Sequence, residues 1–321
     1  MRATARLEIR RIQRVTLLLC IAFVGPIACA QTVETCPVTE GVTLQILGSG
    51  GPIADDGRAS AGYLVWIDGE SRVMIDAGGG TFLRFGEANA KFADLDFVGL
   101  SHFHTDHSAD LPALLKSGYF SGRQRSLVVA GPDSSPPFPG LATYLNSLLG
   151  KPDGTYAYLS GYLDGTGSLS KIEPIEVEKG IPTAVTVLGE DGGPVQITAQ
   201  HVPHGIVPAL AFRVRIGAES IVFASDQNGN DPAFVDFAKD ATILLMHMVV
   251  PEDIAGAGRK LHAPPSVIGD IAQRAGVGTL VLSHLMARSL ENLDNNVEIV
   301  KANYAGRVIV AKDLDCIALK I

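Results

Sequence analysis

The stretch Ser101-His102-Phe103-His104-Thr105-Asp106-His107 constrains this chain more than any other. It sets three histidines and an aspartate within six residues, directly after the apolar run Phe97–Leu100, which reads as a β-strand. Alternate residues leaving a strand end point the same way, so His102 and His104 share a direction and Asp106 and His107 follow in the next turn. A lone histidine in such a place is more often a packed structural residue. Four donors at this spacing instead suit divalent cations, with His102 and His104 gripping one ion and Asp106 and His107 facing a second. The chain must therefore fold so that a strand ends at a site where further donors can be brought in from elsewhere.

Around this motif the pattern is strand-rich. Thr43–Leu47, Tyr63–Ile67, Arg72–Ile75 and Leu127–Ala130 are short β-branched or apolar runs between Gly/Asp turns. Ala109–Ser117, with Ser108 as N-cap, and Leu141–Leu149 have helical spacing. Lys151 to Ser170 is rich in Gly, Tyr, Asp and Ser and reads as a long loop, with Tyr156, Tyr158 and Tyr162 expected to line a small pocket, a lid or a plain solvated connection being the alternative. From Ile172 strands return at Val185–Leu188, Val195–Ala199, Leu210–Arg215 and Ser220–Ala224. Helices at Pro232–Ala238, Pro265–Ala275 and Asn292–Tyr304 then alternate with strands at Ile243–Met246, Thr279–Leu282 and Val308–Ala311. A strand-rich meander followed by helices, twice over, predicts an α/β fold in which two sheets pack face to face with helices outside, in one domain over residues 43–321.

Through its H-x-H-x-D-H signature the chain resembles the metallo-β-lactamase superfamily, and within it ribonuclease Z and related phosphodiesterases. Three further stretches carry the resemblance: Leu47 to Pro52 with Arg58 and Ser60 after it, Ile75 to Thr81, and Leu100 to Leu115. It extends over residues 43–315. The signature is specific for the superfamily and much less so for a substrate. The resemblance implies a four-layer αββα sandwich of two mostly antiparallel or mixed sheets. It also implies the remaining ligands. A histidine should precede the strand that holds Leu210-Ala211-Phe212-Arg213; His204 stands at the usual distance, with His201 as its rival. The bridging aspartate matches Asp226 in Phe223-Ala224-Ser225-Asp226, and the last ligand matches His284 after Leu280–Ser283.

The implied site places His102, His104 and His204 on one ion and Asp106, His107 and His284 on the other, with Asp226 between them. Such a donor set suits two Zn²⁺ ions, and Mn²⁺ or Fe²⁺ as well. Asp76 would stand behind, accepting the other N–H of a ligand histidine, unless it merely caps a turn. Catalytic roles fall to Asp106, His247 and His262. His247, in Leu244–Val249, matches a family histidine tied to protonation of the leaving group, although Met248 stands where a Glu is expected; His262 is the other candidate acid. Arg288 matches an arginine able to hold a phosphate oxygen. β-Lactamases of the superfamily lack the bridging aspartate, whereas its phosphodiesterases and lactonases have it. The expectation is a binuclear hydrolase cleaving a small phosphodiester or similar ester, with a lactonase or other carboxylic ester or amide hydrolase as the alternative.

The N-terminus points to export. Arg2, Arg6, Arg10, Arg11 and Arg14 precede the apolar run Val15–Ile27, whose thirteen residues fall short of the roughly 20 that span a bilayer, and Ala28-Cys29-Ala30 closes it. Residues 1–30 therefore read as a secretory signal peptide and 31–42 as a linker, with a secreted or periplasmic product. Acylation at Cys29 is the lesser option, because Pro26 sits where an aliphatic residue is expected. Loss of five Arg and one Glu takes the formal charge from −8 to −12, a field that repels nucleic acid. The family's Gly- and Lys-rich arm for clamping tRNA has no counterpart, so a small-molecule substrate is expected. No membrane span remains in the mature chain, and a homodimer stays open. Cys36 and Cys316, the two cysteines left, are expected to pair in an oxidising compartment.

Overall fold

The strand Val42–Gly48 (β1) buries all seven of its residues, so the alternation of a half-exposed strand is missing from it. Its even-numbered side chains Val42, Leu44 and Ile46 join one apolar cluster, and Leu47 joins another on the opposite face. A strand covered on both faces has this character. In the computed structural model, which describes residues 36, 40–180, 182–188 and 195–319, β1 lies within a sheet enclosed on both sides. The signal-peptide segment and most of the predicted linker lie outside the described residues.

That first sheet contains β1, Gly62–Ile67 (β2), Glu70–Ile75 (β3), Phe97–Gly99 (β4), Leu127–Pro132 (β5) and Ile172–Val177 (β6). The second contains Thr183–Leu188 (β7), Val195–His204 (β8), Val207–Ile216 (β9), Glu219–Phe223 (β10), Ile243–His247 (β11), Thr279–Ser283 (β12) and Arg307–Val310 (β13). The last strand, Cys316–Ala318 (β14), returns to the first sheet beside β1, making seven strands in each. Both sheets are mixed. β1 to β3 and β7 to β10 pair antiparallel, whereas β3 to β6 and β10 to β13 pair parallel.

The two sheets meet through Leu44, Tyr63 and Ile75 on one side and Phe212, Phe223 and Leu245 on the other. Outside the first sheet, Phe85, Leu114 and Leu141 bring helices Thr81–Glu87, Leu111–Gly118 and Leu141–Leu149 onto Leu64 and Val98. Phe234, Ile268 and Val300 do the same on the second sheet for helices Ala233–Phe237, Pro265–Ala275 and Leu293–Asn303. Each such side chain contributes about 1.5–3 kcal/mol on leaving water, which holds the four layers together. Cys36 and Cys316 are joined by a disulfide, with Cα atoms 5.7 Å apart. No helix among the described residues is long and apolar enough to cross a membrane.

Two local expectations need correction. The single helix Ala109–Ser117 is two, Thr105–Ser108 and Leu111–Gly118, and Ser108 sits inside the first rather than capping the second. Pro112 has no N–H to continue a helix through Ala109, so the chain restarts there. Asp110, at the break, accepts the backbone N–H groups of Gly80 and Phe82. The presumed loop Lys151–Ser170 carries a short helix, Gly161–Asp164. Tyr162 is fully buried, meets Phe92 edge-on and donates its hydroxyl to Leu115 O. That segment packs against the first sheet's helices and lines no pocket over the histidines.

Candidate metal centre

The parallel runs point their carboxyl ends the same way. Asp76 follows β3, His102 and His104 follow β4, His204 ends β8, Asp226 follows β10, His247 ends β11 and His284 follows β12. Residues scattered over two hundred positions thus meet at one edge of the sandwich, the place where open parallel sheets present ligands. Two of them, and the residue before a third, take a left-handed backbone: φ is 59° at Asp76, 52° at His284, and 59° at Ser225 just before Asp226. Each such angle costs roughly 1–2 kcal/mol in an L-residue, and strain of this kind gathers at functional sites. Gly51 leaves room for the His284 ring: a Cβ there would lie 2.8 Å from His284 Cε1.

The donors gather in two sets. His102, His104 and His204 form one, with His102 Nε2 3.0 Å from His104 Nδ1. The other centres on His107 and His284, whose Nε2 atoms are 3.1 Å apart, with Asp106 Oδ2 3.1 Å from His284 Nε2. Asp226 stands between the sets. Its Oδ2 is 3.7 Å from His204 Nε2 and 3.7 Å from His107 Nε2, and its Oδ1 is 3.7 Å from His284 Nε2. His201, the rival to His204, bonds instead through Nε2 to Val177 O at 2.8 Å and lies apart from these groups.

Hydrogen bonds behind the rings fix which nitrogen faces inward. Asp76 Oδ2 accepts from His107 Nδ1 at 2.8 Å, and its two oxygens also take the backbone N–H and hydroxyl of Ser101. The Ser101 hydroxyl lies 3.1 Å from His102 Nδ1. His204 Nδ1 donates to Leu261 O at 3.0 Å, leaving Nε2 a bare lone pair. That Nε2 is buried, has no hydrogen-bond partner and faces the Asp226 carboxylate. Lone pair against anion is repulsive unless a cation lies between, so the residues present fit a divalent metal.

Electrostatics agree. Burial alone would push the Asp226 carboxyl up, but His284, His107 and His247 outweigh it and hold the group well below the carboxylate range. Asp106 is likewise opposed by burial yet brought down to about 2 by His284 and His107. Burial keeps His102 and His104 below the ordinary histidine value, with neighbouring imidazoles adding to it, so their lone pairs are free at neutral pH.

His247 differs from its sequence-based role. Its Nδ1 is 2.7 Å from Asp226 Oδ1 and its Nε2 2.9 Å from the Tyr63 hydroxyl. Its ring lies within the His107, Asp226 and His284 donor group, but with both nitrogens engaged in hydrogen bonds and no place in the cleft wall it supports Asp226 from behind, and burial holds its pKa at about 4. His262 lines the cleft, its Nδ1 unpartnered 3.9 Å from Asp226 Oδ1. The cleft, about 450 Å³, is walled by Pro52, Phe103, Val249, Leu261 and Met286, with Arg288 as the one Lys or Arg side chain lining it among the described residues. Arg288 is held by its Nε bond to Val249 O at 3.0 Å. Phe103, inside the motif, is stacked 4.4 Å from Tyr144 and forms a rigid wall.

Ser101, Tyr63 and the apolar walls were missed from the sequence. Ser101, directly before the first motif histidine, carried a local signal; Tyr63 in an apolar strand carried none.

Residues 71–285 match the β-lactamase superfamily domain. The chain belongs to the metallo-β-lactamase superfamily. Among its relatives is ribonuclease Z of Mycobacterium marinum, 28% identical over 291 residues, covering 85% of this chain and 97% of that one. The metallo-β-lactamase fold protein YhfI of Bacillus subtilis superposes with a TM-score of 0.66 at 22% identity, over 86% of this chain and 98% of its own. Human tRNase Z, short form, gives 0.66 at 17% identity, over 87% of this chain and 100% of its own. Superfamily membership and the His/Asp cluster together point to divalent-metal binding, on a sandwich shared with ribonuclease Z-like proteins.

Proposed function

We propose that this metal-dependent hydrolase is an exported binuclear enzyme that cleaves a small phosphodiester. The observation that carries the reading is Asp226, placed within 3.7 Å of donors from both sets in a cleft with one cationic wall residue. His102, His104 and His204 would hold one ion and Asp106, His107 and His284 the other, Zn²⁺ being the best match to the mixed imidazole and carboxylate donors. Such a pair makes hydroxide available at neutral pH and polarises the phosphoryl group. Arg288 then orients a non-bridging phosphate oxygen from the rim. His262 supplies the proton to the leaving oxygen. Burial holds it at about 4 in the free chain, and a bound phosphodiester anion beside it favours its protonated form.

Size and charge support a small substrate. β9 and β10 are joined by Gly217 and Ala218 alone, so no arm projects there to grip a polynucleotide. The predicted loss of residues 1–30 makes the chain more acidic, which favours a compact substrate over a polyanion. Export is supported by that segment and by the Cys36–Cys316 disulfide. A panel of bis-aryl phosphate, cyclic nucleotide, lactone and β-lactam substrates tests the reading. Phosphodiester turnover should dominate and fall to background in Asp226→Ala; fast lactone turnover without phosphodiester turnover would overturn it.

A further inference from the structure

Tyr63 is a tyrosine where the packing asks only for an apolar ring. It sits on β2 in the interface between the sheets, 1% exposed, 5.7 Å from the Phe223 ring. A hydroxyl buried there costs free energy unless it is bonded. Among the described residues its partners lie across the interface, His247 Nε2 at 2.9 Å on β11 and Ser283 Oγ at 3.1 Å on β12. His247 in turn meets Asp226 Oδ1 at 2.7 Å.

We propose that Tyr63 positions Asp226 by fixing the tautomer of His247. An ionised carboxylate only accepts, so Asp226 needs His247 to carry its proton on Nδ1. The Nε2 lone pair then needs a donor, and the Tyr63 hydroxyl is the group in reach; its one proton serves Nε2 when the Ser283 hydroxyl, which rotates freely, donates to the Tyr63 oxygen rather than accepting from it. The alternative tautomer would turn a lone pair on Asp226 and release the carboxylate from its orientation between the two donor sets. The first sheet thereby sets a ligand carried by the second, and correct docking of the sheets becomes a condition for tight metal binding. Tyr63 touches no reacting atom; it is a positioning residue. The proposal rests on the reading of Asp226 as the ligand shared by two ions.

Zinc affinity and stoichiometry, measured by competition with a chromophoric chelator, test it in wild type, Tyr63→Phe, His247→Asn and the double variant. Tyr63→Phe should weaken binding about 10–100-fold, the usual effect of losing a group behind a ligand. The Asn carboxamide can donate from the place of Nδ1 without help from Tyr63, so in the His247→Asn background Tyr63→Phe should change nothing further. Unchanged affinity in Tyr63→Phe, or losses that simply add in the double variant, would overturn the proposal while leaving the binuclear reading intact. A wild type that binds fewer than two equivalents would overturn both. If Tyr63→Phe does not fold, nitrogen-15 spectra of His247 in the wild-type protein decide: a proton on Nδ1 supports the proposal and a proton on Nε2 overturns it.

Discussion

His201 and His204 share β8, three residues apart, and therefore point to opposite faces of the sheet. Spacing to the next strand favoured His204 without excluding His201, since both stand near the strand's end. Their neighbours separate them: His201 is tied to Val177 O, and His204 presents a bare Nε2 to Asp226. His201→Ala should keep the full metal content and activity, whereas His204→Ala should lose both, as elemental analysis and turnover would show. The reverse result would move the ligand. His102, His104, Asp106 and His107 were legible because one strand end and one turn hold them together. His247 was legible as a site residue but not in its role, because one partner, Asp226, follows a neighbouring strand and the other, Tyr63, lies in the opposite sheet. No periodicity records such a contact.

Strand ends and the turns after them carry the site, and one close approach shows how tightly. Ala77 N donates to His107 O at 2.8 Å, and Asp110 N to Ala77 O at 2.8 Å, which seats the turn after β3 flush against the metal motif. A Cβ at Gly78 would stand 2.1 Å from Asp106 O. Gly78→Ala should therefore destabilise the chain by about 1–3 kcal/mol in urea unfolding and weaken metal binding as Asp106 moves. A variant unchanged in both would mean the contact is slack. Among the elements, Leu141–Leu149 and Pro265–Ala275 were read to the residue, since each has a clear apolar stripe with Gly just beyond its end. β8 runs to His204 rather than Ala199, because its last residues keep pairing with β9, and the last of them, His204, delivers its imidazole to the site. Residues 151–170 look solvated in composition, yet Leu159 and Tyr162 anchor them.

Over the whole molecule, the repeated meander-then-helices order made the layered fold legible, because each sheet must bury both faces. Which strand ends would meet was not readable from periodicity. It follows from the parallel pairing of β3 with β4 and of β10 to β12, and from sheet docking through Tyr63 and Phe223. The pairing brings carboxylates and imidazoles into one buried space, a donor set that suits divalent cations. Anomalous diffraction at the zinc absorption edge, from crystals of the zinc-loaded protein, addresses this most directly. Two peaks about 3.5–4 Å apart, one on either side of the Asp226 carboxylate, are expected. A single peak, or density away from Asp226, would contradict the account.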